Sequence, residues 1–83
     1  MKVKSLYNVM PKNTTVFITR EVVSHGAVVD VDILYYDTFE NMTNEELQIW
    51  TEDVSIDTEE KCLLIKAKEN VIDAEPQNTK EVP

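Results

Sequence analysis

From residue 21 to residue 60 the chain contains no lysine and no arginine. It also has one glycine, one cysteine and one histidine in 83 residues, and no apolar run long enough to span a bilayer. Each scarcity excludes a class of chemistry. A single glycine rules out a glycine-rich phosphate loop, and one Cys with one His rules out a zinc cluster. Cys62 has no partner within the chain for a disulfide. It is set among Leu63, Leu64 and Ile65, which suits a small buried hydrophobe better than a reactive thiolate. His25 falls in an expected turn, where a solvated side chain is the natural state and a catalytic base is not. The acids of residues 52–60 lack the ligand spacing and turn glycine of a calcium loop. The expectation is a chain without catalytic activity, metal or cofactor. The opening Met-Lys-Val-Lys-Ser-Leu lacks the continuous apolar stretch of a signal peptide, so a cytoplasmic location is expected, with no membrane contact.

What the sequence does have is acid. Twelve carboxylates lie in residues 21–60: Glu21, Asp30, Asp32, Asp37, Glu40, Glu45, Glu46, Glu52, Asp53, Asp57, Glu59 and Glu60. Residues 1–20 carry Lys2, Lys4, Lys12 and Arg20 with no acid, and residues 61–83 are balanced. Charge is thus sorted along the chain, and the formal net charge is −8. A field of this sign repels phosphate backbones and favours a cationic partner, so a basic protein is expected and direct contact with nucleic acid is not.

The apolar residues set the fold class. Val3, Leu6, Tyr7 and Met10 line one helical face, and Pro11 ends the helix. Thr15 to Val23 reads as a strand with Val16, Ile18 and Val22 on one side. Gly26 occupies the hairpin turn, because positive φ is needed there. In the next strand Val29, Val31, Ile33 and Tyr35 alternate with Asp30, Asp32, Leu34 and Tyr36, giving one consistently apolar face. Thr43-Asn44-Glu45-Glu46 is a capping box that opens a short second helix ending near Trp50. Residues 53–57 and 62–67 form a second hairpin. The expected architecture is an α+β domain over residues 1–69: a small four-stranded antiparallel sheet of two hairpins with one or two short helices on one face. Residues 70–83 lose the apolar period and gain Pro76 and Pro83, so a flexible C-terminal tail is expected.

Phe17, Tyr35, Tyr36, Phe39 and Trp50 are the large anchors, and most belong in the core of so small a domain. Tyr35 and Tyr36 are adjacent on a strand, so one of them leaves the principal core face. It is either covered by the second helix or left as an interface anchor ringed by Asp37 and Glu40.

The opening Met-Lys-Val-Lys-Ser-Leu-Tyr-Asn-Val-Met-Pro-Lys-Asn-Thr-Thr-Val-Phe-Ile, the hairpin after it, Asn-Glu-Glu-Leu, and the closing Asp-Val-Ser-Ile with Cys-Leu-Leu-Ile-Lys resemble small accessory proteins of phages and prophages of Gram-positive bacteria. The resemblance spans roughly residues 1–68. It implies a host-directed, non-enzymatic inhibitor, anti-CRISPR-like and a possible DNA mimic, with a basic host protein such as a CRISPR effector as partner. Residue by residue it carries over no role. From the charge pattern itself, the candidate partner-binding residues are Asp30, Asp32, Asp37, Glu40, Glu45, Glu46, Glu52, Asp53, Asp57, Glu59 and Glu60, with Tyr36 as the anchor. Two further functions fit the composition: a self-associating assembly module forming a homodimer through a strand edge and a tyrosine, and a small-ligand-binding domain.

Overall fold

The computed structural model describes residues 1–72, in the order α1 (Val3–Tyr7), β1 (Thr15–Ser24), β2 (Ala27–Thr38), a 3-10 turn (Phe39–Asn41), α2 (Asn44–Leu47), β3 (Thr51–Asp57), β4 (Cys62–Ala67) and β5 (Asn70–Val71). One mixed sheet organises them, with the order β2-β1-β4-β3 and β5 beside β1.

Both expected hairpins form. In the first, His25 and Gly26 both take left-handed backbone (φ 53° and 78°), the conformation a two-residue turn requires to match the twist of its strands. The expectation of a wholly antiparallel four-stranded sheet is corrected. The two hairpins meet through β1 and β4, which run parallel, with Val16 beside Leu63 and Ile18 beside Ile65. β2 and β3 therefore point the same way on opposite edges. Residues 39–50 have to carry the chain back across one face, and the 3-10 turn and α2 are that crossover.

The fifth strand was not expected at all. Asn70–Val71 continues the line of β4 and runs parallel to β1 at Val22 and Val23, and the Ile72 N–H reaches the Val23 carbonyl at 2.9 Å. This strand takes up the first two residues of the flexible tail expected over residues 70–83, and from residue 73 on that tail lies outside the described residues.

The core sits between the sheet and the helical layer: Val16 and Ile18 of β1, Leu63, Ile65 and Ala67 of β4, Val3 of α1 and Phe39 of the 3-10 turn. Tyr7 meets Phe39 edge to face at 6.0 Å, and Leu6, Met10, Leu34, Tyr35, Met42, Ile49 and Val54 pack around them. The start of the chain is sewn in as well: the Val3 N–H bonds the Ile49 carbonyl at 2.9 Å and the Thr51 N–H bonds the Met1 carbonyl at 2.8 Å. α2 opens as expected, its Glu46 carboxylate taking the Thr43 N–H at 2.7 Å and the Thr43 hydroxyl at 2.6 Å. Lys12 terminates α1 by donating to the Tyr7 and Met10 carbonyls at 2.6 and 3.2 Å while lying over the Tyr7 ring.

Two bulges alter β2. The partner of Ile18 is Tyr35 but that of Thr19 is Ile33, so Leu34 is an extra residue; Val29 is extra in the same way nearer the turn. The first bulge inverts the alternation. Leu34 and Tyr35 both reach the core, while Val31 and Ile33, which belong to the apolar face of the sequence pattern, emerge on the opposite side.

Candidate interaction surfaces

All three helical segments lie on one side of the sheet. Its other face has no layer over it. The rows of that face follow from the register: Thr38, Thr15, Cys62 and Asp57 across four strands, then Tyr36, Phe17, Leu64 and Ser55, then Ile33, Thr19, Lys66 and Asp53, then Val31 and Glu21, and last Val28, Val23 and Val71. The relief is uneven. Tyr36, Ile33 and Val31 of β2 stand up as a ridge, 66%, 66% and 50% exposed, with Tyr36 tilted against the Phe17 ring at 5.1 Å. Against the ridge, with Val31 as one wall, lies a hollow of about 340 Å³ over β1, β4 and β3, lined by Thr19, Ser55 and Leu64 and by the Lys66–Glu21 ion pair at 3.3 Å. Tyr36 is thus the tyrosine left uncovered, and Tyr35 the one taken inside.

The acids are not gathered on one face. Asp37, Glu40, Glu45 and Glu46 belong to the end of β2 and the helical layer, where α1, which carries Lys4, lies beside α2. Asp30 and Asp32 lie on the hairpin of β1 and β2, and Arg20 approaches Asp32 to 3.8 Å. Glu52, Asp53, Asp57, Glu59 and Glu60 follow one another along β3 and its turn. Strand pairing and helix packing therefore mix in space what the chain sorts in sequence. The β3 border is the stretch where five acids stay together, bordering the uncovered face.

Several carboxylates also have local duties. The Asp30 Oδ1 accepts the Val31 N–H at 2.8 Å, the Asp37 Oδ1 that of Thr38 at 2.7 Å and the Asp53 Oδ1 that of Val54 at 3.0 Å. All three sit on β2 or β3, the outer strands of the sheet. Asp57 accepts the N–H groups of Glu59 and Glu60 at 3.0 and 3.1 Å, shaping the turn between β3 and β4. The expectation that most of the large anchors are interior fails: Phe39 and Tyr35 are taken inside, but Phe17 and Tyr36 stand on the uncovered face, and Trp50 is 56% exposed beneath the Lys2 ammonium, 5.3 Å from the ring centre.

Burial shifts two titratable groups. Cys62 is buried and its thiol is pushed up by desolvation, then by Asp57 and Glu60, so it remains protonated near neutrality. Tyr35 donates its hydroxyl proton to the Thr38 carbonyl at 2.6 Å, and burial raises its pKa, with Asp37 and Glu46 adding to the effect. The folded state holds both protons where the unfolded chain releases them. Their stabilisation is complete below the ordinary values of 9.0 and 10.0 and is lost as pH rises through the higher folded values. The urea midpoint should accordingly begin to fall above pH 9.0 and steepen above pH 10.0, and Tyr35→Phe should remove the steeper part, leaving the Cys62 part. An equal slope in wild type and variant would remove Tyr35 from the account.

Among the described residues no three metal-binding side chains gather, and no helix is long and apolar enough to cross a membrane. Comparison with protein-family models, curated proteins and solved structures finds no match to this chain.

Proposed function

We propose that this protein is a non-enzymatic binding protein whose acids engage a basic surface of a second protein. The observation that supports it is the acidic border of the sheet: Glu52, Asp53, Asp57, Glu59 and Glu60 run along β3 and its turn, beside a face of the sheet that no helix covers. Carboxylates so placed offer charge-assisted hydrogen bonds to arginine and lysine, and next to apolar surface such bonds form where water is partly excluded. A protein that handles nucleic acid carries basic channels of the matching sign, and the resemblance to phage accessory proteins favours the same class, with a CRISPR effector as the candidate target.

The experiment is a pull-down from bacterial lysate with this protein as bait, washed in rising salt. A basic partner should be captured and released as salt screens the border. Glu52→Lys combined with Asp53→Lys should weaken that capture about tenfold or more, since a buried or rim charge is then opposed by one of its own sign. Capture unchanged in the reversed variant would remove the β3 border from the function. A second reading, self-association, is favoured by a different observation, the apolar ridge on β2.

A further inference from the structure

We infer that the pocket between Arg20, Trp50 and Lys68 is a binding site for a small aromatic oxyanion, a one-ring compound carrying a carboxylate or a phosphate. The inference goes beyond the proposed function and does not depend on the β3 border.

The pocket lies on the helical side of the sheet, where the core gives out. Along β1 the core positions Val16 and Ile18 are followed, two residues on, by Arg20, and along β4 the core position Ala67 is followed by Lys68. Leu34, Ile49 and Ala67 give the site apolar ground, and Arg20, Trp50 and Lys68 stand around it with about 240 Å³ of space between them. Gln48 lines the same opening. Its Oε1 accepts from the Lys2 ammonium at 2.9 Å, and that ammonium lies over the Trp50 ring. Of the seven basic residues in positions 1–72, three are thus at or beside one spot, in a chain whose net charge is −8.

Two of these cations have little to hold. Elsewhere Lys12 closes α1 and Lys66 pairs with Glu21. Arg20, by contrast, makes no hydrogen bond among the described residues: Asp32 stays at 3.8 Å, and the Nε is buried with no acceptor. Buried N–H groups are normally bonded, so the exception marks a guanidinium that the chain itself does not satisfy. The exposed Lys68 ammonium also has no bond among the described residues, while the Lys68 N–H, 3.4 Å from the Trp50 carbonyl, keeps the residue at the pocket.

The chemistry of the lining selects the ligand. A guanidinium takes carboxylate or phosphate oxygens in pairs, and an ammonium beside it adds a second positive charge. The apolar ground and the Trp50 ring, more than half exposed, suit a flat apolar body attached to that head group. Pockets for drug-sized ligands begin near ~300 Å³, so this smaller one fits a single ring. A nucleic acid or an anionic membrane would bring many phosphates against the acids of the whole chain. A small oxyanion meets the local cations alone.

Trp50 is the only tryptophan, so its fluorescence reports on the pocket directly. The test is titration of the full chain with phenylacetate, with phenyl phosphate and with the neutral phenylacetamide, in wild type and in Arg20→Gln, Lys68→Gln and Lys61→Gln. At least one oxyanion should give a saturable change with a dissociation constant of about 1 mM or tighter, and phenylacetamide should bind at least about tenfold more weakly. The tighter of the two oxyanions identifies the head group. Arg20→Gln and Lys68→Gln should each weaken it about tenfold, the scale of a lost hydrogen bond to a charged group, while Lys61→Gln, at the far end of β4, should leave it unchanged. Circular dichroism and the urea midpoint confirm folding, and the exposed Lys68 keeps the test valid even where Arg20→Gln fails to fold. No saturable response to either oxyanion overturns the inference, as does equal binding of phenylacetamide or indifference to the substitutions at Arg20 and Lys68. Such a failure with salt-sensitive capture of a basic partner intact would overturn this inference alone and leave the proposed function standing.

Discussion

Phe39→Ala should leave most of the chain unfolded at 25 °C. Phe39 has no exposed surface; it enters the core from the 3-10 turn, meets Tyr7 edge to face and packs in the cluster of Val3, Val16, Ile18, Leu63 and Ile65. Truncating a buried phenylalanine costs about 3–5 kcal/mol, because the cavity closes only in part. A domain of this size has a total stability on the order of 5 kcal/mol, so the loss is comparable with everything available. The Phe39 N–H to Thr14 carbonyl bond at 3.1 Å, which alanine can still make, holds the 3-10 turn against the start of β1, so the loss belongs to the ring. Urea titration followed by tryptophan fluorescence gives the answer, with Tyr36→Ala as the contrast. That residue is large and aromatic but exposed, and its loss should cost below about 1 kcal/mol, the worth of its tilted contact with Phe17. Equal costs at the two positions would mean that the sheet's two faces have been misjudged.

Asp30→Val together with Asp53→Val should turn a clear solution into β-rich aggregate. Each aspartate sits on an outer strand and holds the N–H of the next residue, at 2.8 Å for Val31 and 3.0 Å for Val54. An N–H bonded to a side chain does not template a further strand. Substitution at residue 30 also joins Val28, Val29 and Val31 into one uninterrupted β-branched run on a long edge strand, the composition of cross-β segments. Removing both blocks opens the sheet to growth from both sides. Light scattering and thioflavin fluorescence at a concentration where the wild type stays clear are the readouts. Asp30→Asn with Asp53→Asn, which keeps an acceptor oxygen at each position, should stay clear. If the valine variant stays clear as well, the aspartates are not edge guards.

The local features were written plainly in the sequence. Gly26 in a turn, the Thr43–Glu46 capping box, the α1 face of Val3, Leu6 and Tyr7, and the burial of Cys62 each depend on residues close together in the chain. What sequence pattern does not carry is neighbourhood. Alternation says which side of a strand is apolar and nothing about which strand lies next to it, so the parallel meeting of β1 and β4 was out of reach. Nor does counting by twos survive an inserted residue. Leu34 moves Tyr35 inside and sends Val31 and Ile33 outside, so the most regular apolar face of the sequence became the uncovered one. The acids illustrate the same limit. Twelve of one sign in succession suggest a single field, but the folded chain distributes them among the hairpin, the helical layer and the β3 border, and it sets Arg20 near Asp32 and Lys66 near Glu21.

The parallel contact of β1 with β4 also dictates when this chain can fold. Thr15 meets Cys62, 47 positions on, and Met1 meets Thr51 across 50. Either hairpin can close by itself in microseconds, but an isolated hairpin is marginal in water, and the core exists only where the two hairpins touch. A chain leaving the ribosome therefore holds Val16, Ile18 and Phe39 without their partners until β4 has emerged, and among the described segments only β5 follows it. Assembly comes late and all at once, and its rate is governed by closure of the long loop more than by the turns.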